Sequence, residues 1–116
     1  MAKLEKRTFD APDERRTPSR TEIATVRFGD RAFSRVTYAP QWRWSTDIKP
    51  AAGTAMCQVN HFVYVVSGRC HVVMEDGTEL DLGPGDIGPV PAGHDGWVLG
   101  DEPFVMLDIE GALKPE

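Results

Sequence analysis

A chain of 116 residues, 41% hydrophobic and 27% charged, has the length and make-up of one domain with a single core. Its net charge of −5 is uneven: residues 1–20 carry six basic and four acidic groups, the rest seven and fourteen, and so acidic a body repels phosphate backbones, so no nucleic-acid partner is expected. No apolar run approaches the roughly 18 residues of a membrane span, and the charged start lacks a signal-peptide core, so no membrane partner and a cytoplasmic location are expected.

Residues 1–20 hold Pro12, Pro18, many charges and two sizeable apolar side chains, Leu4 and Phe9. They read as an extended N-terminal arm, and residues 21–116 as the folded domain. Strands are expected over 23–28 and 32–38, joined by a turn at Gly29-Asp30. Ala39-Pro40 breaks the second. Trp42 and Trp44 alternate, so a short strand there puts both indoles on one side. Residues 49–53, with Pro50 and Gly53, read as a loop.

Residues 54–67 fit a helical period through Ala55, Met56, Val59, Phe62, Val63 and Val66, but their β-branched and aromatic content favours two strands broken near Asn60-His61. Further strands are expected over 70–75, 78–82, 87–90, 96–99 and 104–109. Turns are marked by Ser67-Gly68, by Gly83-Pro84-Gly85-Asp86 and by Asp76-Gly77, which predicts a type I′ hairpin. The expected fold is all-β: two antiparallel sheets closing a barrel, with no helix longer than about two turns. The strand over 23–28 offers an edge for pairing, and a homodimer is expected.

Two cysteines, Cys57 and Cys70, are too few for a disulfide scaffold, and a reducing compartment keeps them as thiols. The chain has no Gly-x-Ser-x-Gly, no phosphate-cradling glycine loop and no Cys-x-x-Cys. Glu75, Asp76, Glu79, Asp81 and Asp86 cluster at turns and read as a solvated face. His71 reads as structural or surface.

From about Trp42 to Ile109 the order of turns resembles the cupins, specifically the small single-domain conserved-barrel type. Gly85-Asp-Ile-Gly-Pro-Val-Pro91-Ala-Gly93 matches the start of that family's second motif, and Gly68 the end of the first. The resemblance implies a double-stranded β-helix, a jelly-roll-like barrel with its site inside, usually around a metal. The family's metal positions are altered here. Its paired histidines fall on Ala55 and Cys57, its glutamate on His61, its second-motif histidine on Gly96 and its closing asparagine on Gly100. A subgroup with Cys-Gln-x-x-His, Tyr-Val-x-Ser-Gly-Arg and Pro-x-Gly-His-Asp-x-Trp is similar to Cys57–His61, Tyr64–Arg69 and Pro91–Trp97 of this chain.

The resemblance therefore implies a metal site at His61, His94 and Cys57. His94 lies two residues before Gly96 and shares its face in a strand, as Cys57 and His61 share one if their strand is continuous. Sulfur and imidazole donors suit a divalent transition metal such as zinc, iron, copper, nickel or manganese. Trp42, Trp44, Tyr64, Trp97 and Asp95 are the expected pocket for a small-molecule ligand. The expected function is a small-molecule-binding cupin, as a mononuclear metal enzyme of isomerase, lyase or dioxygenase type. The alternative is a metal-free binding or sensing module with an aromatic-lined cavity.

Overall fold

Glycine and proline recur at strand-length intervals, and the structure, a computed structural model that describes residues 3–109, is built almost wholly of antiparallel strands. The expected start of the arm at residue 1 and the expected end of the domain at residue 116 lie outside the described residues. The strands are β1 (Glu14–Arg16), β2 (Thr21–Phe28), β3 (Arg31–Tyr38), β4 (His61–Ser67), β5 (Arg69–Met74), β6 (Glu79–Leu82), β7 (Ile87–Val90), β8 (His94–Leu99) and β9 (Phe104–Asp108). They form a six-stranded sheet, β1-β2-β3-β9-β4-β7, and a three-stranded sheet, β6-β5-β8. No helix among the described residues is long and apolar enough to cross a membrane.

The core lies between the sheets, where alternation turns one side chain in two inward. Val63 and Val65 of β4, Cys70 and Val72 of β5, Val98 of β8, and Phe104 and Met106 of β9 are buried there. The same parity turns Phe62, Tyr64 and Val66 outward, where they are exposed. His61 falls on the inner side of β4, and Asp108 on the inner side of β9 beside Val63.

Four local expectations are revised. Trp42 and Trp44 do not share a strand: Gln41 adopts φ 73°, Arg43 makes one isolated bridge to Trp97, and a one-turn helix, α1 (Trp44–Asp47), follows. Both indoles are nevertheless buried. The expected loop at 49–53 contains a second turn of helix, α2 (Lys49–Ala52). Pro50 suits the start of a helix, and Gly53 at φ 75° closes it, so the residues read as loop punctuation serve as helix ends.

Residues 54–60 carry one isolated bridge, Cys57 to His94, and no ladder. The hairpin at Asp76-Gly77 is not type I′, because only Gly77 has positive φ, at 89°. Gly77 N–H donates to Met74 C=O and Met74 N–H to Thr78 C=O, which makes a three-residue loop with a glycine bulge.

Within the expected arm, β1 pairs antiparallel with β2, Glu14 opposite Thr25 and Arg16 opposite Ile23. Phe9 lies under the Arg35 guanidinium, 5.6 Å from its ring centre. The edge of β2 on which dimer pairing was expected is therefore covered by the chain itself.

Candidate metal centre

Backbone hydrogen bonds hold two of the three expected ligands together. Cys57 N–H donates to His94 C=O at 2.7 Å, and Gly93 N–H donates to Cys57 C=O at 2.7 Å. Gly93 adopts φ 92°, a left-handed turn that suits glycine and starts β8 with His94 pointing into the barrel. His94 is buried and shares the inner face with Gly96 and Val98. His61 reaches the same point from the start of β4. Cys57 is brought there by the bridge to His94 rather than by a continuous strand.

One donor atom each from Cys57, His61 and His94 lies within 4.8 Å of the others. Cys57 Sγ is 3.9 Å from His61 Nε2, and the two imidazole rings are 5.3 Å apart at their centroids. Bonds of roughly 2.0–2.3 Å at tetrahedral angles place donor atoms about 3.3–3.8 Å apart, so the set is somewhat wider than a closed site.

Each imidazole already uses its Nδ1. His61 Nδ1–H donates to the buried carboxylate of Asp108 at 2.5 Å, and His94 Nδ1–H donates to the Pro91 carbonyl at 2.6 Å. Those bonds fix the tautomers and leave the Nε2 lone pairs for the centre, the usual second layer of a metal-binding histidine. Two nitrogens and one sulfur suit a transition metal rather than magnesium or calcium, and three ligands leave a position for a small molecule.

The electrostatics agree with the geometry. Burial opposes ionisation of Cys57, but hydrogen bonding to His61 and His94 outweighs it and brings the thiol down from 9.0 to about 6. Burial likewise opposes charge on His61, but Asp108 and Cys57 raise it from 6.5 to about 9. At neutral pH without metal, thiolate faces imidazolium. Cys70, by contrast, is pushed up to about 12, chiefly by burial, and stays an inert thiol. Both cysteines are free.

A narrow cavity of about 40 Å³ adjoins the cluster. His61 and His94 line one part of it; Tyr38, Trp42, Val72 and Phe104 are among the other walls. Of the expected pocket residues, only Trp42 lines this cavity. Tyr64 points outward from β4 and is 40% exposed. Trp97 and Asp95 alternate with the inward residues of β8 and face the other way. Trp97 packs against His71, with ring centroids 4.7 Å apart, and the Arg43 guanidinium lies 4.2 Å from its ring centre. Asp95 accepts the N–H of Ser45 at 3.2 Å and so caps α1 from across the fold. Trp44 is buried in the core without lining the cavity. His71 faces out and donates through Nδ1 to Asp81.

Sequence reasoning missed Tyr38 and Asp108. Burial, with lesser help from Cys70, Asp108 and Cys57, holds the Tyr38 phenol well above its ordinary value. Period-2 alternation of β9 places Asp108 inward with Phe104 and Met106. A carboxylate at an inward position is the signal that could have marked it.

The family model described as Cupin domain matches residues 52–110, half of the chain. No curated protein matches the sequence. Among solved structures, a Rhizobium leguminosarum bv. viciae protein of unknown function is similar at TM-score 0.65 and 23% identity, over 92% of this chain and 95% of that one. The polyketide cyclase RemF from Streptomyces resistomycificus is similar at 0.63 and 18%, over 91% and 78%. A cupin-superfamily sugar phosphate isomerase from Silicibacter pomeroyi is similar at 0.59 and 20%, over 90% and 73%. With the two-sheet barrel and the matched motif region together, the chain belongs to the cupin domain family.

Proposed function

We propose that this cupin binds a small molecule at a mononuclear transition-metal centre formed by Cys57, His61 and His94. The observation that carries it is the convergence of their three donor atoms within 4.8 Å, beside a cavity that His61 and His94 also line. A bound divalent ion would supply Lewis acidity toward an oxygen of the ligand, as an isomerase or lyase needs, or would bind dioxygen, as a dioxygenase needs. Asp108 and the Pro91 carbonyl hold the imidazoles in register.

Metal analysis of untagged protein tests the reading. About one metal per chain is expected, lost in His61→Ala and in His94→Ala. No uptake after reconstitution with zinc, iron, copper, nickel and manganese overturns it. The second reading, a metal-free binding or sensing module, is favoured by one observation: Cys57 and His61 satisfy each other as an ion pair without any metal.

A homodimer and a cytoplasmic location belong to the same proposal. Phe62, Tyr64, Val66 and Ile87 form an exposed apolar patch on the outer face of β4 and β7, and a second copy of the chain is its proposed partner. Sedimentation at high concentration giving the mass of one chain overturns the dimer.

A further inference from the structure

We infer that the cavity beside the cluster takes a small carboxylate or carbonyl compound, one of whose oxygens accepts a hydrogen bond from the indole N–H of Trp42. The inference builds on the binding-site reading above and adds the ligand class. It starts from an exception. The buried polar side chains of this interior are satisfied: Thr25 bonds Ser34, His61 bonds Asp108, His94 bonds Pro91, and Asp95 accepts backbone N–H groups. Among the described residues, the one buried side-chain nitrogen or oxygen without a partner is Trp42 Nε1. A buried donor is seldom left unpaired, and an indole N–H can only donate, so its missing partner is an acceptor.

The described residues supply none. The aromatic neighbour of Trp42 is Tyr38, with ring centroids 4.0 Å apart and planes at 34°. That arrangement is nearer stacked than edge-on, so the N–H, which lies in the indole plane, is not directed at the Tyr38 ring face. Trp42 does line the cavity, and so do His61 and His94. A molecule there meets apolar walls such as Val63, Val90 and Met106, together with the side chains of Trp42, His61 and His94.

Shape limits the ligand further. A cavity of about 40 Å³ has room for roughly three waters, and so for a ligand of about three or four heavy atoms. Lone pairs are required toward Trp42 and a compact apolar body toward the valines. Acetate and acetone share that size and shape and differ in charge.

The experiment follows the indole ¹⁵N–¹H signal of Trp42, assigned with Trp42→Phe, while acetate or acetone is added at constant pH and ionic strength. Zinc-loaded and chelator-treated protein are run in parallel, with zinc uptake measured separately. The expected result is a saturable shift of the Trp42 signal, with those of Trp44 and Trp97 unmoved. A response to acetate and not acetone assigns the carboxylate; the converse assigns the carbonyl. Trp42→Phe should weaken binding of the responding probe about tenfold or more, read from the His61 and His94 ring signals, with zinc uptake unchanged.

No saturable shift with either probe overturns the inference, as does a Trp42→Phe protein that binds the probe as tightly as the parent. If the variant does not fold, the parent titration decides. Zinc uptake without a Trp42 shift overturns this inference and leaves the metal reading standing. A Trp42 shift in protein that takes up no metal does the reverse.

Discussion

The hydrogen bond from His61 to Asp108 decides which imidazole nitrogen faces Cys57. Asp108 is fully buried, and its charge is what lets His61 stay protonated up to about 9 despite burial. A raised histidine contributes stability in full below its ordinary 6.5, and the contribution is lost as pH rises through about 9. Asp108→Asn should therefore destabilise the chelator-treated protein by roughly 3 kcal/mol near pH 6, and by less as pH passes about 9. Denaturant titrations of both proteins across that range measure the difference; a gap that widens with pH contradicts the assignment.

Cys57 carries the opposite sign. Its lowered value makes the thiolate's contribution complete above 9.0 and lost as pH falls through about 6. Ultraviolet thiolate absorbance in metal-free protein should appear with a midpoint near pH 6, and His61→Gln should move that midpoint up toward 9.0. A midpoint near 9.0 in the parent would mean that the pair does not form.

Turns place these residues, and two glycines show how differently turns constrain the barrel. At Gly68, between β4 and β5, φ is +79° and an added Cβ would sit 2.2 Å from the Pro103 carbonyl oxygen and 2.7 Å from Phe104 Cα. Both are backbone atoms leading into β9, the strand that carries Asp108. At Gly77, φ is +89° but an added Cβ meets nothing within 4 Å. Gly77→Ala should cost about 1–2 kcal/mol, the backbone strain alone. Gly68→Ala adds overpacking against backbone and should cost roughly 3 kcal/mol or more. Equal unfolding midpoints for the two variants would contradict this.

The same elements show what could be read before the structure. Turn chemistry marked Gly68, Gly77 and the Gly83–Asp86 corner, but alternation alone did not say which face of β5 or β9 turns inward; the burial patterns do. His94 was legible because strand parity survives a displacement of two residues. The pocket was not. Tyr64, Asp95 and Trp97 are separated from inward neighbours by one residue each, so register alone turns them out of the barrel. Residue type carries no such parity: Trp42 lines the cavity and Trp97 stacks outside it. Cys57 reached the centre by a bridge between segments 37 residues apart, a long-range contact that local pattern does not contain.

The two edges of the six-stranded sheet bear on how whole molecules meet. One edge is β7, four residues long and interrupted by Pro89, which has no N–H to offer a neighbour. The other is β1, three residues long, exposed and charged at each position, Glu14, Arg15 and Arg16. Short, charged or proline-bearing edges discourage strand addition from a second molecule. Behind β1 stands β2, eight residues long, with Ala24, Thr25 and Val26 buried. Asp13 reinforces the cover: its N–H donates to Thr25 C=O, and its carboxylate accepts Arg27 N–H at 2.7 Å. Arg15 and Glu22 add an exposed ion pair at 3.0 Å, which is worth little by itself. Removing residues 1–17 strips β1 and Asp13 together and leaves the middle of β2 as an unpaired, β-branched edge. Truncation should thus lower the unfolding midpoint and convert the protein to species larger than the full-length assembly, increasingly so with concentration. Sedimentation of the two chains side by side measures this. A truncated chain that keeps the full-length mass at every concentration would show that β1 does not guard the edge.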